Sequence, residues 1–550
     1  MNSPNPALVS QREAEPLPRV ALLLLTTAYV VPGLFKRDPW KSADITAFGY
    51  MVDIAHGKTS WLAPMVGGLP ADGALLPYWL GALSVRAFGP FVDPIVAARI
   101  PFALLLALAL ALTWYATYWL ARSESAQPLP FAFGGEAAPT DYARAIADGA
   151  LLALIASLGL LQLGHETTPE LVQLVGVALY LYGLAARPHK PLRGGVAAAA
   201  AIVVLAASGA PSIAMLLAAV GATVFTVARG TASRAGVAWL GAGAALGAAV
   251  ASALGAWADR RGSYHGAAQI AGMAREIAWF VWPSWPLAVW TLWQWRRRLW
   301  SEHLAMPSAV TALLLAVWIG MGGSDRALML SLPAFAVLAA FALPTLQRSA
   351  AAAMDWFSVF FFTIAVATGW LFYIAIQTGH PAQLAANVSK LSPGYHNTFS
   401  LAALVLALGG TFAWLWLVRW RTGRHRHPLW KSLVLPAGGV SICWLIVMTL
   451  LLPPLDNARS YRSIVQRIAR QVPPGSCIAA PDMNRAEVVA LEYLGGYRVD
   501  AVTPVERTRC DHLLLTRVQN VPPAPWRFIA RERRNRGDDG TDLYLRDDGG

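Results

Sequence analysis

The run Phe102-Ala103-Leu104-Leu105-Leu106-Ala107-Leu108-Ala109-Leu110-Ala111-Leu112 contains no polar side chain. With its flanks, from 94 to 120, it is long enough to cross roughly 30 Å of hydrocarbon as one helix. Runs of this kind recur at about 18–35, 94–120, 142–163, 168–186, 195–209, 212–228, 236–257, 277–295, 307–321, 328–345, 356–378, 398–418 and 432–452. In lipid an unpaired backbone group has no water to bond, so these runs are expected to be helices. Composition agrees. Of 550 residues, 56% are hydrophobic and 14% are charged, against roughly a quarter charged in soluble domains. The expectation is a polytopic α-helical membrane protein with about thirteen spans. The two runs meeting at Ser208-Gly209-Ala210-Pro211 are read as separate spans, with one kinked segment as the alternative.

Charge orients the spans. The net charge of +13 does not form a basic stripe with interleaved aromatics, which sets nucleic acid aside. It sits in short loops instead. Arg187, Lys190 and Arg193 fall in one set of alternating loops, with Arg229 and Arg234, Arg296 to Arg298, and Arg419, Arg421, Arg424, Arg426 and Lys431. The opposite set holds Arg326 and Lys390 in its short loops. The positive-inside rule puts the first set and the N-terminus in the cytoplasm. Val20 to Leu34 lacks a small-residue cleavage site and precedes Lys36-Arg37-Asp38, so it reads as a retained first span. The first loop, the 258–276 loop and the C-terminal tail then face the periplasm.

Residues 1–452 form the expected membrane domain, and 453–550 a small α/β domain. In the tail, Cys477 to Ala480, Tyr497 to Val502, His512 to Thr516 and Leu543 to Leu545 read as strands. Arg485 to Leu494 reads as a helix. Cys443 lies in the last span as a small apolar residue. Cys477 and Cys510 start two expected strands, and in an oxidising compartment they are either a disulfide or two free thiols.

The segment 36–93 is too long for a plain connector. It carries two apolar stripes at helical spacing: Ile45, Phe48, Met51, Val52 and Ala55, then Leu80, Leu83, Val85 and Phe88. Both are expected to lie in the membrane interface, apolar face down. Asp44 opens the first piece. It reads either as a helix N-cap or as a general base or electrostatic stabiliser at the membrane surface.

Asp44, Trp61-Leu62-Ala63-Pro64, Gly68, Tyr78-Trp79-Leu80, Phe88-Gly89 and Ala98-Arg99-Ile100-Pro101 resemble the early signature of the GT-C lipid-carrier-dependent glycosyltransferases. The similar subgroup is the aminoarabinose-to-lipid A transferases and the protein mannosyltransferases. Asp44 stands 17 residues before Trp61, the separation that the family's Asp-Glu keeps from its Trp. His165-Glu166-Thr167-Thr168-Pro169-Glu170 resembles the family's His-x-x-Thr-Pro-Asp turn. The resemblance implies inverting transfer of a sugar from undecaprenyl phosphate to lipid A, another glycan or a protein, at the periplasmic face of a bacterial inner membrane. Asp44 inherits the place near the nucleophile, and Asp72, His165 and Glu166 are further site candidates.

Three departures bear on the chemistry. Ile45 stands where the family has Glu, Asp72-Gly73-Ala74-Leu75 replaces Glu-Lys-Pro-Pro, and Gly209-Ala210-Pro211 lacks the family's lysine. Replacement cations for the donor phosphate are Arg326, Arg260, Arg261, Arg275 and Lys58; a guanidinium holds phosphate bidentately. His265 with Asp72 is a candidate pair for a divalent metal. No other cofactor is called for. A transporter or flippase of lipid-linked sugars is the alternative, as is a non-catalytic envelope relative. Against transport, the spans carry almost no mid-span charge and no clear two-fold repeat.

Overall fold

The computed structural model describes residues 7–229, 234–257, 267–423, 428–516, 525–533 and 540–547. Among them, eight helices are long and apolar enough to cross a membrane: Pro94–Ala121, Pro169–Ala186, Arg234–Ala253, Glu302–Gly320, Asp325–Thr345, Arg348–Thr378, Leu401–Thr422 and Lys431–Thr449. Arg19–Val30, Pro191–Ala207 and Pro211–Val227 are shorter apolar helices. Several helices open on proline, at Pro94, Pro139, Pro169, Pro191 and Pro211. There the missing N–H is one the first turn could not have paired.

Two expected runs are broken. Ser157 separates the helices Pro139–Ala156 and Leu158–Leu163, and Trp282-Pro283 precedes Ser284–Gln294. The breaks satisfy each other. The Ser157 and Ser284 hydroxyls lie 3.1 Å apart and both donate to the Ala153 carbonyl, at 2.9 and 3.1 Å, while Leu158 N–H donates to the Trp282 carbonyl at 3.3 Å. At Ser208–Ala210 the chain forms two helices, which pack on one another.

The chain divides into two compact units. The first comprises Met1–Leu34, Phe102–Ile374 and Phe399–Leu451; the second comprises Phe35–Pro101, Ala375–Thr398 and Leu452–Gly550. In the first unit, helices approach through small residues. A Cβ on Gly183 would meet the Ala198 backbone nitrogen at 2.5 Å, so the helices Pro169–Ala186 and Pro191–Ala207 touch backbone to backbone, as lipid-embedded helices favour.

The second unit joins the first-loop elements to the tail. β1 (Met65–Val66) and β2 (Leu69–Pro70) form a small hairpin. The tail's sheet contains β3 (Cys477–Ala479), β4 (Arg498–Asp500), β5 (His512–Leu515), β6 (Trp526–Glu532) and β7 (Thr541–Arg546), in the order β4-β3-β5-β7-β6. The first three are parallel, and β7 pairs antiparallel with both β5 and β6. β6 is an edge strand with mostly part-exposed residues, and its mixed Trp-Arg-Phe-Ile-Ala-Arg-Glu sequence hides the alternation that reveals a strand. Cys477 and Cys510 are joined as a disulfide, their Cα atoms 4.8 Å apart.

The expected interfacial placement of the first amphipathic piece is corrected. In the helix Ser42–Ala55, Asp44, Ile45, Ala47, Phe48, Gly49, Tyr50, Met51, Val52 and Ile54 are all buried. It packs on the helix Leu75–Phe88 and on Arg485–Val489 of the tail, with Phe48 against Tyr493 at 4.7 Å. Its apolar face is therefore covered by protein. Leu75–Phe88 keeps the other character, since Leu83, Phe88 and the following Phe91 stay exposed.

Candidate functional site

In the second unit, Asp44 does not occupy the N-cap. The helix starts at Ser42, with Lys41 as its cap residue, so Asp44 is the third helical position. A carboxylate in the first turn still meets the positive end of the helix dipole. Its side chain is 1% exposed and lies 3.8 Å from the Arg99 Nη2, itself 3% exposed. Arg99 also donates to the Arg37 carbonyl. Among the described residues its Nε and Nη2 have no hydrogen-bond partner, which is costly for a buried guanidinium. Ile45, which stands where the family has Glu, is a core residue at 2% exposure.

Around this pair runs a charged network that the sequence reading missed. Asp38 accepts a fork from Arg462, at 2.6 and 3.0 Å, and a hydrogen bond from the Ser460 hydroxyl at 2.6 Å. Asp456 accepts from the Asp38 N–H and from Trp40 Nε1, at 2.8 and 2.7 Å. Burial and the nearby Asp38 push the Asp456 carboxyl above its usual range. The hydrogen bond to Asp38 raises the Arg462 guanidinium. The only sequence signals were the Lys36-Arg37-Asp38 patch and the Arg99-Ile100-Pro101 motif. Asp456 and Arg462 lie some 400 residues further on, and no local pattern links them.

The remaining first-loop candidates are held by partners. Lys58 pairs with Asp53 at 3.4 Å, and Asp72 with Arg485 at 3.4 Å. Burial raises Asp53, offset in part by Lys58. Glu492 is pushed up to about 7 by burial and then by Asp53. The Trp61 carbonyl accepts from Trp79 Nε1 at 2.7 Å, so two motif positions are tied to each other.

The first unit carries the turn His165–Glu170. Arg326 Nη2 donates to Glu166 at 2.5 Å, and its Nη1 lies 3.4 Å from Glu170. Glu166 is 1% exposed. The cation chosen for a phosphate is thus already matched by two carboxylates. Both ring nitrogens of His165 face carbonyl oxygens, of Leu161 at 2.6 Å and Tyr29 at 2.8 Å, and the ring packs on Trp444 at 4.6 Å. That makes it a tie between helices. Arg275 is exposed on the helix Ala267–Phe280. Arg260, Arg261 and His265 lie outside the described residues. Among the described residues, no group of three His, Cys, Asp or Glu is disposed to hold a metal.

The helical membrane architecture, with first-loop helices and a small α/β tail, has likenesses among solved structures. Among solved structures, the chain is similar to ArnT from Cupriavidus metallidurans in its apo state, with a TM-score of 0.59, and bound to undecaprenyl phosphate, with a TM-score of 0.56. Identity is 16% in both comparisons, and 96% of each chain is covered. No family model and no curated protein sequence matches the chain.

Proposed function

We propose that this chain is a lipid-carrier-dependent glycosyltransferase of the periplasmic face of an inner membrane. It takes a sugar from a polyprenyl phosphate such as undecaprenyl phosphate and delivers it, with inversion, to lipid A, another glycan or a protein. The observation that carries this reading is the full-length likeness to a fold whose solved example holds undecaprenyl phosphate. The buried Asp44–Arg99 pair adds to it, because it joins two positions of the first-loop and Arg-x-Pro motifs. Asp44 is the general base or electrostatic stabiliser for the attacking oxygen. Arg275 and the undescribed Arg260 and Arg261 are the cations for the leaving phosphate. Membrane orientation follows the charge rule, with the N-terminus cytoplasmic.

The test is Asp44→Asn, with sugar incorporation from polyprenyl phosphate and the amount of folded protein in membranes both measured. Activity falls by about a hundredfold or more, within the usual range for losing a general base, while the protein level holds. Full activity in the variant overturns the mechanism. One observation favours the non-catalytic reading: Asp44 is 1% exposed and faces a cation, which suits a structural pair. Loss of folded protein in Asp44→Asn supports that second reading.

A further inference from the structure

A groove in the first unit contains Arg275, and its other lining residues have no role so far. It lies between the helix Ala267–Phe280 and the turn Gly322-Gly323, has a volume of about 520 Å³, and is lined by Gln269, Arg275, Glu276 and Trp279 together with the two glycines. Gln269 Nε2 donates to the Gly322 carbonyl at 2.9 Å, which fixes the turn as a wall. Gly323 has φ +80°, and a Cβ there would meet Met273 at 2.8 Å. Glycine is thus needed for both the conformation and the approach. Three residues further on, Arg326 anchors the same loop to Glu166 and Glu170.

Two features of this groove call for a ligand with hydroxyl donors and an apolar face. Among the described residues, the buried Glu276 Oε1 has no hydrogen-bond partner. An acceptor left so is costly, and a hydroxyl donor on a ligand satisfies it. Trp279 is 53% exposed beside Phe361, a large amphipathic ring lying open next to three polar side chains. A plain hydrocarbon tail has no use for the amide, carboxylate and guanidinium. A sugar ring uses all of them, with hydroxyls for Glu276 and Gln269 and a C–H face for the indole.

We propose that this groove is a carbohydrate subsite, with Trp279 under the ring, Glu276 and Gln269 on its hydroxyls, and Arg275 toward an adjacent phosphate. It rests on the proposed function only for the sugar's source, which is the carrier-linked donor or the glycan acceptor. The test is native mass spectrometry of the full chain in micelles. The probes are farnesyl phosphate, its mannose- and aminoarabinose-linked forms, and lipid A. The variants are Trp279→Ala and Glu276→Gln, the latter keeping the local shape should the former fail to fold.

If the donor sugar binds here, wild type retains a sugar-linked farnesyl phosphate about tenfold better than farnesyl phosphate, and the variants lose that difference. If the acceptor binds here, lipid A retention falls in the variants while the farnesyl series is unchanged. Wild-type retention of every probe in both variants, or no retention of any sugar-bearing probe by wild type, overturns the subsite. Retention of lipid A through Trp279 and Glu276, with no prenyl phosphate bound at all, keeps the subsite and removes the carrier reading.

Discussion

Replacing Arg326 by Met tests whether the first unit depends on its buried charge set. Glu166 is 1% exposed, Glu170 14% and Arg326 16%. Removing the guanidinium takes away the cation that faces Glu166, whose contact from Gln162 Nε2 is long, at 3.4 Å. Breaking a buried pair in this one-sided way costs about 3–5 kcal/mol, because a charge is left inside without its partner. Part-exposure of Glu170 and Arg326 lets water answer some of it, so about 3 kcal/mol is the working figure. In a protein of 550 residues that lowers the apparent melting temperature by roughly 3 °C, read by fluorescence-detected unfolding in detergent. The double variant Arg326→Met with Glu166→Gln recovers much of the loss, since no lone charge remains. An Arg326→Met protein melting within about 1 °C of wild type refutes the reasoning, and frees Arg326 for the phosphate role first read from the sequence.

Two further outcomes are expected. Glu492 has a carboxyl raised to about 7, by burial first and Asp53 second. The folded state therefore holds a proton that the unfolded state releases between about pH 4.5 and 7, and stability falls as pH rises through that window. Glu492→Gln then melts higher than wild type at pH 8, by about 1–2 kcal/mol after allowing for partial exposure, and equally at pH 5. A constant difference at both values sinks the idea. Cys477 and Cys510 close a loop of 33 residues, worth about 3–4 kcal/mol by chain entropy. Both resist alkylation until reductant is added, and labelling of the folded, unreduced protein rules the bridge out.

The membrane class was legible because length and hydropathy are local properties. A run such as 102–112 declares itself without a partner. What hydropathy does not carry is polarity satisfied at a distance. Two helical runs break, at Ser157 and just before Ser284, and each break is made tolerable by the other, these serines lying 127 residues apart. The first-loop helix shows the same blindness. Its stripe at Ile45, Phe48, Met51 and Val52 fits a membrane interface and a protein core equally well, and only the tail's Val489 and Tyr493 decide between them. β6 escaped because an edge strand has little burial to encode in an alternating pattern.

For the site, residue types were easier to choose than their state of charge. Each cation was picked for its face of the membrane, and a cation's usefulness to a phosphate depends on whether its charge is already matched. Lys58 has Asp53 at 3.4 Å, and Arg326 has Glu166 and Glu170. Arg99, quoted only as part of a motif, lies against Asp44. Arg275 differs, being exposed and, among the described residues, without an ion-pair partner. It also lines the groove that holds Trp279 and Glu276. Of the described candidate cations, Arg275 is thus the one whose charge is open to a ligand, and it stands beside Trp279 and Glu276 in the groove proposed for a sugar.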